Sequence, residues 1–317
     1  MDVFWVVLLI VFLALIVISI ILFFVIGIYF FNKTFKRKDL TEFYANNGKG
    51  MDETVRLISD KSFLLTHKFD EIFINSKDGL KLAANFLKSK NNSHKYIIFF
   101  HGYRGNVLDE SSSLIHLFYD YGFNILVVHE RGNWDSGGKF FTMGPKEKDD
   151  LVSWVDYISS IDNKSKICLF GRSMGAHIVL LGLGENLKQN VKCAIEDSGY
   201  VDLDKQLVHS AKNMLHFKGA RLLISIGELY CKIFYKMHFN ETTEKSLSRC
   251  KIPVCLIHGT ADRFVPYDDL EKNYNAIPDN IYKEKNTFEG ATHCSSEASN
   301  PDRFYKMINK FISSFMK

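Results

Sequence analysis

"KICLFGRSMGAHIVLL", residues 166–181, joins two apolar runs through Gly171, Arg172, Ser173, Met174 and Gly175. The first run is short and rich in β-compatible residues, so it reads as a buried strand. The second, from Met174 to Leu187, reads as a helix. A Gly-x-Ser-x-Gly pattern at a strand-to-helix junction describes a sharp turn that presents the serine hydroxyl at a helix N-terminus. A phosphate-binding loop is the rival reading, but no lysine follows the second glycine. Ser173 is therefore the candidate nucleophile.

The same rhythm extends in both directions. "KFDEIFINS" and "LKLAANFL" alternate like two strands around the turn "KDG" and predict an antiparallel edge hairpin. "KYIIFFHG", "NILVVHE", "VKCAIED", "IPVCLIHG" and "NIYKEKNTFEG" read as further strands. Asp109–Tyr121, Glu147–Ile158 and "PDRFYKMINKFISSF" read as helices. Short apolar strands alternating with helices imply a mostly parallel sheet covered on both faces, with ligands at the C-terminal strand ends. Between about 200 and 250 no strand signal appears. Two helical stretches, "LDKQLVHSAKNML" and "ARLLISIGELYCKIFYKM", predict a helical cap. The second carries Leu222, Leu223, Ile226, Leu229, Tyr230, Ile233 and Phe234. These cover more than half its circumference, so one face can pack on the core and another can line a pocket.

A serine hydroxyl needs a base, and the base needs an orienting acid. Two strand ends supply them. "HGTADRFVP" offers Asp262 and "GATH" offers His293, giving the order Ser173, Asp262, His293. Asp197 follows its own strand run and is the rival acid. The backbone N–H groups of Tyr103, after "YIIFFHG", and Met174 are the expected oxyanion donors. Arg172 and Trp134 are candidate substrate contacts. His101, His129, His177 and His258 read as structural, and their scattered spacing suggests no metal site. Cys294 reads as a spectator thiol beside His293.

"HGYRGN", "ERGNWDSGG", "GRSMGA", "HGTADRFVP" and "GATH", in that order, resemble the α/β-hydrolase superfamily, and within it the serine aminopeptidase and BEM46-like proteins. The likeness runs from about Asp70 to the C-terminus. It implies an α/β-hydrolase fold with a small helical cap, a Ser–Asp–His triad, and ester, thioester or amide hydrolysis without a cofactor. It implies no particular substrate. One departure is Gly132-Asn133-Trp134, where such proteins often have Gly-His-Gly, and that puts specificity rather than chemistry in question. A carboxylester or lipid-like acyl substrate leads. A peptidase or amidase of the same fold is the alternative, and a non-catalytic binding protein of this fold is the third reading.

The first residues are of another character. Val3–Phe31 run without a charge, enough for a helix of about 43 Å against a hydrocarbon core of about 30 Å. A transmembrane helix is expected at 3–31, a juxtamembrane connector at 32–66 and the hydrolase domain at 67–317. A cleaved signal peptide would need a basic start, a shorter run and a small-residue cleavage site. Lys33, Lys36, Arg37 and Lys38 follow the run and no Lys or Arg precedes it. The positive-inside rule then puts the catalytic domain of this single-pass protein in the cytoplasm. Three of the six cysteines lie in strand-like runs, as reduced thiols would. Asn-x-Ser/Thr triplets at Asn91, Asn163 and Asn240 weigh little against that orientation. The net charge of +4 across 317 residues is diffuse, so nucleic acid is not an expected partner.

Overall fold

The computed structural model describes residues 3–38, 61–105, 111–215 and 218–317. The strands are β1 (Asp70–Asn75), β2 (Lys81–Leu87), β3 (Lys95–Phe100), β4 (Asn124–His129), β5 (Lys166–Arg172), β6 (Val191–Asp197), β7 (Val254–Gly259) and β8 (Lys283–Phe288). They form one sheet in the order β1-β2-β4-β3-β5-β6-β7-β8. β1, β2 and β4 pair antiparallel, and β4-β3-β5-β6-β7-β8 pair parallel. The sheet and its helices form the α/β-hydrolase fold, with the expected hairpin at one edge.

Strand side chains alternate between two cores. Ile98, Phe100 and Leu169 join one face with Leu151, Trp154 and Ile158. Ile97, Phe99 and Phe170 join the other with Phe118, Phe304 and Ile308. Burial on both faces is why β3, β5 and β7 read as continuous apolar runs. The helices are α1 (Val3–Thr34), α2 (Lys61–Thr66), α3 (Ser112–Asp120), α4 (Glu147–Ile161), α5 (Met174–Gly182), α6 (Leu203–Leu215), α7 (Ala220–Tyr235), α8 (Thr243–Leu247), α9 (Asp268–Ala276), α10 (Ser296–Ser299) and α11 (Pro301–Phe315). α11 starts at a proline, and Asn300 Oδ1 caps it by accepting from Arg303 N at 3.1 Å.

Some boundaries differ from expectation. α5 stops at Gly182 rather than Leu187. Backbone and side-chain atoms of Ser246 would lie 2.6–2.8 Å from any Cβ at Gly184, so the passing α8 segment requires a glycine there. The connector expected at 32–66 lies partly outside the described residues, as do Asp109 and Glu110 of the helix expected at Asp109–Tyr121. The first part of that connector is not loose. Phe35 is fully buried and its ring meets Phe141 and Phe239 at 6.5 and 5.3 Å. Arg37 N donates to Lys139 O at 2.9 Å, and Phe141 N donates to Phe35 O at 3.2 Å.

The cap contains α6, α7 and α8, as expected between β6 and β7. Its partner was not expected. α7 packs on the end of α1. Tyr235 stacks on Phe31 with ring centroids 3.7 Å apart, and Tyr230 lies 5.9 Å from Phe23. Tyr230 is thus buried packing, while Leu222, Leu229, Ile233 and Phe234 face outward.

Candidate active site

β5 delivers Ser173 into a conformation that few residues adopt, φ 55° and ψ −115°, held by Ser173 N donating to Asp197 O at 2.8 Å. Such a turn persists only where its surroundings over-determine it. The flanking glycines do that. A Cβ on Gly171 would lie 2.3 Å from Gly175 O, and one on Gly175 would lie 2.2 Å from Phe100 O. The elbow is therefore pressed against the end of β3, where the loop carrying Tyr103 begins.

His293 Nε2 lies 2.8 Å from Ser173 Oγ, and its Nδ1 lies 2.7 Å from Asp262 Oδ2. With the proton on Nδ1, the imidazole donates to the carboxylate and accepts from the hydroxyl. The two loops that supply these groups are stitched together. Ala261 N donates to Ala291 O at 3.0 Å, Thr260 N to Phe288 O at 2.9 Å, and Gly290 N to Thr260 Oγ1 at 2.8 Å. Phe264 covers the imidazole at 4.8 Å.

Asp262 also accepts from Phe264 N and Val265 N at 2.8 and 2.9 Å. A second imidazole reaches it, with His258 Nε2 at 3.2 Å from Oδ2. Burial alone would raise its pKa. Hydrogen bonds from His258 and His293 outweigh burial and hold the carboxyl well below its usual range. His258 moves the opposite way. Burial lowers it, but the bond to Asp262 and the nearby Glu196 carboxyl leave it raised. The sequence reading placed His258 among the structural histidines. The signal for its contact was the four-residue spacing in "HGTAD".

The other expected site residues divide. Arg172 is not at a substrate surface. It is turned inward and almost wholly buried, with Nε 3.2 Å from Asp197 Oδ2 and Nη2 3.1 Å from Glu297 Oε2. Burial opposes its charge, but the two carboxylates win and raise its pKa. Asp197, the rival acid, spends its carboxylate on this guanidinium and on Ser198 Oγ at 3.0 Å. Glu297 also accepts from Ser113 Oγ and Tyr305 Oη at 2.5 and 2.7 Å. Nothing local in the sequence pairs residue 172 with residue 297.

Trp134 has φ 43°, and its indole N–H donates to Gly105 O at 2.8 Å, so it braces the loop after β3. Met174 is the buried first residue of α5. Tyr103 points its phenol at the end of α1, 2.9 Å from Thr34 O and 3.2 Å from Lys33 O. Arg104 donates to Lys33 O and Lys36 O at 3.0 and 3.2 Å, and Arg37 donates to Ser136 O at 2.7 Å and to Trp134 O. The last turn of α1 is thus bound to both loops beside the site. Among the described residues, no cluster of His, Cys, Asp and Glu has the makings of a metal site.

The YqkD protein of Bacillus subtilis is 29% identical over 220 residues, covering 68% of this chain and 70% of that one. The YfhR protein of Escherichia coli is 24% identical over 217 residues, covering 65% and 67%. The solved esterase Pf2001 of Pyrococcus furiosus is 25% identical with a TM-score of 0.64, covering 80% of this chain and 95% of that one. The acylaminoacyl peptidase of Pyrococcus horikoshii, 17% identical with a TM-score of 0.56, shares the fold over 80% of this chain and 43% of its own. The superfamily resemblance therefore holds. Within it, the model of the prolyl oligopeptidase family matches residues 110–317, the stretch that holds Ser173, Asp262 and His293, and the chain belongs to that family.

Proposed function

We propose that the protein is a membrane-anchored serine hydrolase that cleaves an ester through an acyl-enzyme. The observation that carries this is the hydrogen-bond chain from Ser173 Oγ through His293 to Asp262. His293 removes the hydroxyl proton as Ser173 attacks the carbonyl carbon, and the Tyr103 and Met174 N–H groups receive the oxyanion. His293 then protonates the leaving oxygen, and a water attacks the acyl-enzyme by the same route. Asp262 keeps the imidazole in the tautomer that accepts at Nε2 and stabilises the imidazolium.

The similarity to the Pyrococcus furiosus esterase favours an ester over a peptide, and the family match keeps peptide hydrolysis as the second reading. For anchoring, the support is the way the last turn of α1 is built into the body. A signal-peptidase cut behind the apolar run would detach Phe31, which is buried in the core. The four cations behind that run favour a cytoplasmic catalytic domain. An anchored site meets amphiphiles at high effective concentration, so acyl esters of medium chain or longer are the favoured substrates.

The test uses the full chain in detergent. A fluorophosphonate should label Ser173, and Ser173→Ala should lose both label and at least about 10⁴-fold in turnover. Labelling of another serine would overturn the site. p-Nitrophenyl esters from acetate to decanoate should then be compared with aminoacyl substrates. Higher kcat/KM on the latter would select the peptidase reading, and a peak at acetate would remove the acyl-chain preference.

A further inference from the structure

α7 carries two apolar faces. Ile224, Gly227, Tyr230 and Cys231 are buried against the body and α1. Along the other face lie Leu222, 68% exposed, Leu229, 50%, and Ile233, 55%, spaced seven and four residues apart, and beside them Phe234, 48% exposed, turns toward α1. Large apolar groups exposed elsewhere on the hydrolase body, such as Leu65, Ile161 and Tyr282, are scattered. Single exposed side chains need no partner, but a stripe on one helix does.

The stripe continues into α1. The rings of Phe24 and Phe234 lie 5.6 Å apart, and Phe24 is itself 40% exposed, so no polar side chain separates the two surfaces there. The helices approach closely because each offers a glycine to a ring of the other. A Cβ at Gly27 would lie 2.3 Å from Tyr230, and one at Gly227 would lie 2.2 Å from Phe30. Small residues at a close crossing are how helices associate inside membranes.

Depth follows from length. The α1 rings that meet the cap are Phe23, Phe24, Phe30 and Phe31. Residues 3–22 precede them, and at 1.5 Å per residue they span about 30 Å, the thickness of the hydrocarbon core. The crossing, and α7 with it, then falls at the interface. Arg221, Glu228 and Lys232 flank the stripe, and Lys33, Lys36, Arg37 and Lys38 lie just beyond the apolar run of α1. An apolar stripe edged by charge suits a helix lying in the plane of the interface.

We propose that α7 is a second membrane-contacting element, whose stripe of Leu222, Leu229, Ile233 and Phe234 rests in the lipid surface beside α1. This rests on the anchor reading. It carries a consequence for the site, because the cap touches the acid loop. Gln206 Nε2 of α6 donates to Phe264 O at 2.7 Å, and His209 Nε2 lies 2.9 Å from Arg263 O. The cap that binds lipid is therefore bonded to the loop that carries Asp262.

The full chain is reconstituted in phosphatidylcholine–phosphatidylglycerol vesicles containing a lipid with a diazirine near the carbonyl end of one acyl chain. After photolysis the labelled peptides are mapped. The expected result is label in both α1 and 220–235, with 220–235 at least about tenfold above the water-facing α9 peptide 268–276, as one face in lipid requires. The double variant L229D/I233D should return 220–235 toward the α9 level without changing α1, with circular dichroism reporting that it is folded. Label in α1 but not in 220–235 overturns the proposal and leaves the anchor standing. Label in neither overturns both. Cross-links joining two copies through 220–235, with no lipid adducts there, would assign the stripe to a second copy and overturn it as well.

Discussion

The elbow at Ser173 and the crossing of α1 with α7 both depend on a pair of glycines, and the glycines serve opposite purposes. At Gly171 and Gly175 the space a Cβ would need is filled by backbone, Gly175 O at 2.3 Å and Phe100 O at 2.2 Å. At Gly27 and Gly227 it is filled by the rings of Tyr230 and Phe30. Backbone in a sheet has nowhere to go, whereas rings can change rotamer. Around the elbow, further order comes from directional contacts, including the Arg172 ion pairs and the Asp197 carbonyl that holds Ser173 N. Around the crossing it comes from stacked and tilted rings. The proposed chemistry sits on the stiff part and the proposed lipid contact on the adaptable part.

The largest effect that would sharpen this contrast is at the acid. Asp262→Asn should cost mainly turnover, about 10⁴-fold, because it disturbs the His293 tautomer; loss of the carboxylate's pairing with His258 adds a smaller fall in Tm. Asp197→Asn should do the reverse, lowering Tm while turnover per folded molecule changes less than about tenfold, because its partner is Arg172. Steady-state kinetics with active-site titration separates the two. A greater turnover loss in Asp197→Asn would reassign the acid.

Next is the ion pair beneath the nucleophile. Arg172→Met leaves two buried carboxylates, Asp197 and Glu297, without their cation. Breaking a buried pair from one side costs about 3–5 kcal/mol. Chemical denaturation should show that loss, and Arg172→Lys should recover only part of it, since an ammonium cannot fork between two partners. A variant as stable as the native chain would mean that the elbow is held by backbone geometry alone.

How much of this was legible in the sequence follows the same division. The strands, the elbow, the acid and the histidine were readable because each is local. Short apolar runs that end in or just before a glycine, ICLFG and VCLIHG, can be seen in one window and lead to Ser173 and Asp262, while His293 follows the more polar NIYKEKNTFEG, readable by its place in the strand rhythm. Arg172 was misread as a substrate contact because its partners are 25 and 125 residues away in the chain, beyond any local pattern. The seat of α7 on α1 was illegible for the same reason. Its apolar periodicity announced two faces but not which surface each would meet. Phe35 and Arg37 were placed in a connector because a polar, charged segment carries no periodic signal, although both are bound into the body.

A smaller effect tests the stiff side by pH. His177 lies on α5 stacked on Tyr200 at 4.1 Å, with Nδ1 2.8 Å from Tyr200 O. Burial pushes its pKa down from 6.5 to about 4. Between these values the unfolded chain takes up a proton that the folded chain refuses. The stability from this group is complete above pH 6.5 and drains away as pH falls to about 4, at up to about 1.4 kcal/mol per pH unit. His101, buried behind the Tyr103 loop and also pushed down to about 4, adds to the same slope. His177→Phe keeps the stack and should flatten the decline of stability between pH 6.5 and 4. An unchanged slope would mean that His177 gains a proton without cost and that the core behind the elbow is looser than its packing indicates.

The smallest effect lies where the two regions touch. The phenol of Tyr103 reaches the last carbonyls of α1, while its backbone N–H belongs to the proposed oxyanion site. If the contrast holds, these two ends of one residue are independent. The phenol's bond is to a helix end that Arg104 also holds from the same loop, so Tyr103→Phe removes one of several ties. It should cost about 1 kcal/mol or less, and kcat/KM should fall by less than about fivefold in the full chain in vesicles, since 1.4 kcal/mol corresponds to about tenfold. The position of the N–H is fixed from the other side, by β3 pressed against Gly175. A loss of 100-fold or more in kcat at unchanged Tm would mean that the end of α1 aims the oxyanion donor. α1 would then act on the chemistry directly, and the separation between stiff site and adaptable surface would fail at the one residue that spans it.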